Sequence, residues 1–341
     1  MDKNFLVLIC TLSVCLPSCT IRHGGRQTCK ELFIGKESLS SFDCRIPCDT
    51  VQEAEGNSDL TMYVADGKLC KRFFPNKDRP MTLEIRELDQ EELLYSYVTN
   101  EDHLVLPIRT WCSNQLIIHD QVAMKTLVFD LGKAAKDSAY TPEKRNSNIM
   151  SSRVLPWKDG LIFLNKSSYI NGIPRVCFSD KTWNYHERHK YSFNSHNVVH
   201  GELICRENHP HCIAYVPEND NTIEILDEKG RIIIKTEFYH ESKQAVDTIN
   251  QQGITVYVFK WPPVICFSSA CAGNNTFIVG FVDDVGTHSV AILDWEGNML
   301  GGFKVGGEIR ELSYSKDERT IYAYERIGDH DFLIKYESPL K

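Results

Sequence analysis

The sequence predicts an all-β fold, a six-bladed β-propeller of four-stranded antiparallel blades. Three observations carry that expectation. Two stretches read nearly as copies of strand, loop, strand, turn and strand, and they share an Ile-Leu-Asp-x-x-Gly reversal at Ile225–Gly230 and Ile292–Gly297. Strand-like segments recur every ~40–50 residues, the spacing of propeller blades. Helical periodicity is scarce: its best candidate is Asp89 to Tyr97, and Tyr95-Ser96-Tyr97-Val98 already reads as strand.

At the N-terminus, Phe5 to Leu16 is an apolar run without a charge. A spanning helix needs roughly 20 apolar residues, so this shorter run fits the core of a secretory signal instead. Leu16-Pro17-Ser18-Cys19 resembles a bacterial lipobox, with Leu three residues before the Cys and a small residue directly before it. That resemblance implies that the Cys19 thiol takes a diacylglyceryl group and becomes the first residue of the mature chain. Residues 1–18 are therefore expected to be a lipoprotein signal peptide and 19–30 a tether. The segment Thr20-Ile-Arg-His-Gly-Gly-Arg26 is basic. Surface-exported lipoproteins of Gram-negative gut anaerobes often carry acidic residues there, so the expected location is the outer membrane with the body facing the periplasm.

Residues 31–341 are left for a single propeller domain. Leu60 to Phe73 is a hairpin pattern around Asp66-Gly67, a turn in which Gly supplies the positive φ that other residues resist. Gln115–His119 and Thr126–Gly132 follow, then Gly160–Leu164 and Arg175–Asp180. The first copy runs from Cys212 to Phe238 and the second from Phe277 to Val305. Their reversals lie 67 residues apart, which implies an insertion around Glu241 to Gln252. The last repeat offers only Ile309–Ser315, Thr320–Tyr324 and Phe332–Tyr336. It is one strand short, so the ring is expected to close with an N-terminal strand, either an arm of the Leu60–Phe73 hairpin or Glu31–Ile34. A β-sandwich pair or a parallel β-helix is the competing architecture, and irregular spacing weighs against the helix.

Several residues are candidates for chemistry. Exported proteins permit disulfides, and Cys44 with Cys48, Cys205 with Cys212, and Cys266 with Cys271 are close enough in sequence to pair locally. Cys205, His209, His211 and Cys212 could supply soft metal ligands, but structural zinc draws its ligand pairs across a fold-scale gap, and no metal or other cofactor is expected. Asp180, Asp227, Asp283, Asp284 and Asp294 are the acids a hydrolase would use, although Asp227 and Asp294 sit where turn capping is their natural task. Trp111, Trp157, Trp183, Trp261 and Trp295 are spread across the blades, either wedged between sheets or exposed as a contact surface. No Gly-x-Ser-x-Gly elbow, phosphate loop or His-Glu-x-x-His is present. A net charge of −8 argues against sequence-independent nucleic-acid binding.

Taken together, the lipobox, the short tail and the weak blade repeats resemble the TolB-like six-bladed β-propeller lipoproteins of Gram-negative gut anaerobes. The resemblance implies a propeller over the whole mature chain and leaves function open, because function lives in sites grafted on a fold. The expected function is a lipid-anchored binding or assembly module for a protein or glycan ligand, held to the membrane through Cys19. The alternative is a lactonase-like, metal-dependent hydrolase with its site at one mouth of the channel.

Overall fold

In the computed structural model the described residues are 29–340, apart from 56–59, 74–79, 100–103, 105–106, 166–175, 186–200, 207–211, 240–245, 252–253 and 260–265 and the single positions 113, 121, 150, 219 and 284. Before the first blade come β1 (Lys30–Ile34), a one-turn helix α1 (Lys36–Ser40) and β2 (Asp49–Glu55). Blade 1 is β3 (Thr61–Ala65), β4 (Lys68–Phe73), β5 (Thr82–Glu87) and β6 (Leu93–Val98). Blade 2 is β7 (Pro107–Cys112), β8 (Gln115–Asp120), β9 (Lys125–Asp130) and β10 (Glu143–Asn146), with the short helix α2 (Leu131–Ala134) between the last two. Blade 3 has three described strands, β11 (Ser151–Trp157), β12 (Gly160–Asn165) and β13 (Val176–Phe178).

The first copy seen in the sequence is blade 4: β14 (Gly201–Cys205), β15 (Ile213–Pro217), β16 (Thr222–Leu226) and β17 (Ile232–Phe238). A separate hairpin of β18 (Val246–Gln251) and β19 (Ile254–Phe259) follows it, overlapping the expected insertion and extending beyond it. The second copy is blade 5: β20 (Cys266–Ala272), β21 (Thr276–Val282), β22 (His288–Asp294) and β23 (Met299–Lys304). Blade 6 takes β24 (Glu308–Tyr314), β25 (Thr320–Ile327) and β26 (His330–Glu337) from the C-terminal end. The helical candidate at Asp89–Tyr97 is a turn and the body of strand β6.

The first strand of each blade is innermost. β7 abuts β11, β11 abuts β14, β14 abuts β20, β20 abuts β24 and β24 abuts β3. Tyr63 of β3 and Trp111 of β7 complete the circle, their rings stacked in parallel at 4.8 Å. Beyond their first residues these inner strands are largely apolar because both of their faces are covered. In β3, the inner strand of blade 1, every residue is buried, as in β15, the second strand of blade 4, and near-continuous runs such as Thr-Met-Tyr-Val-Ala result.

The ring closes through blade 6. Its fourth, outer strand is β2, antiparallel to β26 and aligned from Asp49 opposite Lys335 to Glu55 opposite His330. Closure by an N-terminal strand is as the sequence predicted, but the strand is a different one. Leu60–Phe73 forms the two inner strands of blade 1, and β1 joins blade 4 as a fifth strand, parallel to β17. Asp49-Thr-Val-Gln-Glu-Ala-Glu55 is too polar to read as a strand from its sequence. That composition suits an outer edge, where charged residues discourage further pairing.

Candidate functional site

The inner strands all run in the same direction along the channel, so their first residues gather at one mouth. There, a cavity of about 450 Å³ opens among them. Each blade supplies a polar side chain from the first three residues of its inner strand: Thr61, Arg109, Arg153, Glu202, Ser268 and Arg310.

Three of these six residues owe their position to a local irregularity. The register of β11 shifts between Ser151 and Val154, that of β20 between Phe267 and Ser269, and that of β24 between Ile309 and Glu311. Arg153, Ser268 and Arg310 are the residues inside those shifts. A bulge interrupts alternation and re-aims a side chain. Blades 3, 5 and 6 thus each turn a polar group into the mouth while the strand beyond the bulge continues its apolar packing.

The four arginines that line the mouth are each paired with a carboxylate. Arg153 forks onto Glu202, with Nε 2.7 Å from Oε2 and Nη2 on Oε1. Arg109 Nη2 donates to Glu311 Oε2 at 3.0 Å, and Ser269 Oγ donates to the other oxygen of Glu311 at 3.3 Å. Arg310 pairs with Glu308 at 3.0 Å. Just behind them, Arg326 holds Asp331 through two 2.8 Å contacts. Burial pushes the Glu311 carboxyl above the ordinary carboxylate range, against the pull of Arg109. Burial also works against the Arg153 charge, but the Glu202 carboxylate outweighs it and raises the guanidinium further.

Three buried polar atoms in the mouth find no partner among the described residues: Thr61 Oγ1, Arg109 Nε and Ser268 Oγ. Buried polar atoms are nearly always satisfied, so three orphans on residues that line one cavity set it apart as the candidate site. A second, smaller cavity of about 160 Å³ lies at the opposite ends of β3, β20 and β24. Its principal carboxylate is already engaged, since Glu318 accepts from the backbone N–H groups of Asn275 and Thr276 and from Thr276 Oγ1.

Of the acids named from the sequence, Asp180, Asp227, Asp283 and Asp294 are turn caps. Each Oδ1 accepts from the backbone N–H two residues on and again four residues on. Asp284 lies outside the described residues, as do Cys19, His209, His211 and Trp261. Among the described residues, no three His, Cys, Asp or Glu side chains converge as a metal site. The four described tryptophans are buried, and Trp295 donates to the Gly273 carbonyl at 3.4 Å.

The cysteines are arranged differently from the expected local pairs. Cys205 sits opposite Ile213, and Cys212 opposite Arg206, where the Arg206 N–H donates to the Cys212 carbonyl. Side chains alternate across a strand, so the two thiols point to opposite faces of blade 4. Cys205 packs with Trp157 and Phe163, whereas Cys212 packs toward blade 5. Cys205 instead meets Cys112 of blade 2, with the sulfurs 3.7 Å apart. Cys266 and Cys271 lie on one strand, β20. An extended backbone separates residues five apart by roughly 16 Å, more than a disulfide spans. Cys44 bridges to Lys304 of blade 5 while the Cys48 N–H donates to Lys335 of blade 6, and both thiols are free and exposed.

None of the six ring residues was picked out by motif reading. The signal that exists is weak: a single polar residue near the start of an apolar strand, as in Pro107-Ile-Arg-Thr-Trp or Gly201-Glu-Leu-Ile-Cys. Comparison with known proteins adds the fold. No protein-family model matches the chain, and no curated protein matches it. Among solved structures, a candidate exported protein from Bacteroides fragilis is 9% identical with a TM-score of 0.52, over 92% of this chain and 100% of that one. A DUF4221 family member from Bacteroides vulgatus is 8% identical, also with a TM-score of 0.52, over 86% of this chain and 97% of that one. The likeness is one of fold. It extends over nearly the full length of both neighbours, so the propeller is their shared body.

Proposed function

We propose that this chain is an exported, lipid-anchored propeller that binds a protein or glycan ligand at the bulged mouth of its channel and performs no chemistry on it. The observation that carries this reading is the six-blade ring of polar side chains with three buried atoms left without partners. Export is supported by the apolar N-terminal run and by the neighbour described as a candidate exported protein. Cys19 would carry the lipid, fixing the body to the outer membrane on its periplasmic side. The lactonase-like alternative would need mouth carboxylates that are available to a metal. Glu202, Glu308, Glu311 and Asp331 each hold an arginine instead, and a metal would have to displace those guanidinium groups or rely on Glu218 alone.

The experiment uses mature protein extracted from membranes, its N-terminal mass reporting acylation of Cys19. It is incubated with soluble envelope glycans and peptides, and retained molecules are identified by mass spectrometry. The same incubation is run with Arg153→Gln/Glu202→Gln, which removes both charges of one pair with little change in volume. Retention that disappears in the double variant is expected. Equal retention by both proteins, or calcium-dependent turnover of a lactone and ester panel, would sink the reading.

A further inference from the structure

The mouth cavity also carries information about what it holds, and this inference rests on the binding reading above. The first property is charge balance. Four guanidinium groups line the cavity, those of Arg109, Arg153, Arg310 and Arg326, each paired with a carboxylate (Glu311, Glu202, Glu308 and Asp331), and Glu218 adds one further carboxylate to the lining. An anion entering the cavity meets the carboxylates of Glu202, Glu218 and Glu308 as well as the four guanidinium groups, and a cation meets the reverse. Neither gains the unopposed partner that makes charged recognition strong.

The second property is the way donors and acceptors alternate. The Arg153–Glu202 fork presents N–H groups directly beside carboxylate oxygens, one on blade 3 and the other on blade 4. Arg109 and Glu311 repeat that arrangement across blades 2 and 6. A carboxylate oxygen has more lone pairs than one arginine uses, and a guanidinium has five N–H donors. Each pair therefore offers a donor and an acceptor side by side after neutralising itself. Adjacent hydroxyl groups, each both donor and acceptor, match that surface.

The third property is independent of the charges. Thr61 is 6% exposed, yet its hydroxyl has no partner among the described residues, and the Ser268 hydroxyl and Arg109 Nε share that condition. Thr61 is at the edge of blade 1 and Ser268 sits inside the β20 bulge. Two hydroxyls of either sense and one fixed donor, all buried, call for a ligand rich in groups that both give and accept. Leaving them unmatched is costly, because a buried group without a partner forfeits its hydration. The remaining lining includes the buried Phe267 and the half-open Leu60, apolar surface for the carbon face of a ring.

We infer that the channel mouth binds a neutral, polyhydroxylated sugar unit, held between the Arg153–Glu202 and Arg109–Glu311 pairs and the hydroxyls of Thr61 and Ser268. The cavity volume of about 450 Å³ is at the small end of ligand pockets. It therefore suits one or two sugar residues, the end or a side branch of a glycan, better than an extended peptide.

The test applies the mature protein to a printed array of neutral, uronic-acid-bearing, sulfated and amino-sugar glycans together with a set of tetrapeptides, and titrates every retained glycan by calorimetry. Retention concentrated among neutral glycans is expected, with affinity falling roughly tenfold in each of Thr61→Val and Ser268→Ala, the effect of one lost hydrogen bond. These variants keep size and leave the ion pairs intact, and circular dichroism melts establish that both remain folded. Preferential retention of charged glycans, or neutral binding unchanged in both variants, overturns the sugar assignment. Peptide retention that Arg153→Gln/Glu202→Gln abolishes also overturns it, while the mouth would stand as a binding site. No retention of any class, here or from the envelope mixture, overturns the binding reading with it.

Discussion

Glu325 is fully buried in the closing blade, accepting from Tyr336 Oη at 2.7 Å and from the Gly307 N–H at 3.0 Å. Burial pushes its carboxyl up from 4.5 to about 7, and the two hydrogen bonds offset only part of that shift. A raised carboxyl pKa means that the folded chain keeps a proton the unfolded chain has lost. The contribution of this carboxyl to stability, at its full value below 4.5, therefore falls as pH rises from 4.5 to about 7. The total is about 3 kcal/mol. Glu325→Gln should flatten this part of the profile and make the protein more stable than wild type at pH 8, as read by urea denaturation from pH 4 to 8. Equal slopes in both proteins would show that the buried carboxyl is not the source. At this same scale the turns were legible, since Asp followed three residues later by Gly marks Asp227, Asp283 and Asp294. The fourth member was hidden. Asp180 caps an equivalent turn in which Trp183 holds the left-handed position at φ 64°, where the others place Gly230, Gly286 and Gly297. A tryptophan there breaks the sequence pattern, and its buried ring, with the Arg145 guanidinium 4.5 Å above it, gives a physical reason for its presence.

Among the elements, strand existence could be read from composition, but what alternation does to neighbours could not be read from spacing. Only six residues separate Cys205 from Cys212, a spacing that suggests a local bridge, and the register of β14 on β15 sends the thiols to opposite faces. The same register sends Cys205 toward the end of β7, 3.7 Å from the Cys112 sulfur. Oxidation by a thiol–disulfide oxidant should join these two, each thiol losing a proton and the pair giving two electrons to the oxidant's disulfide. The bond would tie blade 2 to blade 4 across blade 3. With the cysteines 93 positions apart in sequence, the crosslink should stabilise by about 2–4 kcal/mol. Peptide mapping without reductant should find a Cys112–Cys205 peptide, and Cys112→Ser should remove both that peptide and the gain in melting temperature. Recovery of Cys205 bridged to Cys212 would contradict the register. Bulges were the least legible feature. A one-residue slip leaves no compositional mark, so Arg153, Ser268 and Arg310 look like ordinary polar interruptions until the strands are paired. The binding mouth depends on those slips, which is why motif reading passed over it.

For the whole molecule, the question is what keeps six sheets in one ring. Neighbouring blades share cores, and blades 6 and 1 meet through Tyr322, Tyr324 and Leu333 on one side and Met62, Val64 and Leu69 on the other. A larger shared core also joins the two ends of the chain, with Tyr63 and Leu83 in one cluster with Leu312, Ile321 and Tyr336. β2 adds a covalent argument: it belongs to blade 6 by hydrogen bonding and precedes blade 1 in sequence, so opening the ring between them requires stripping it from β26. β1 has a different standing, because it thickens blade 4 from outside and leaves closure unchanged. Two truncations separate these roles. A chain beginning at residue 41 lacks β1 and α1 but keeps Phe42, which is buried against blade 5, and β2. A chain beginning at residue 56 lacks β2 as well. The second loses a ladder of about five hydrogen bonds at roughly 1 kcal/mol each, and its melting temperature should fall by about 10 °C or more. It should also aggregate, because the edge of β26 then offers unpaired backbone groups to other chains. The first should retain one cooperative transition within a few degrees of the mature protein. If both truncated chains melted together, the ring would be held by inter-blade packing, and β2 would be only a cover for an edge.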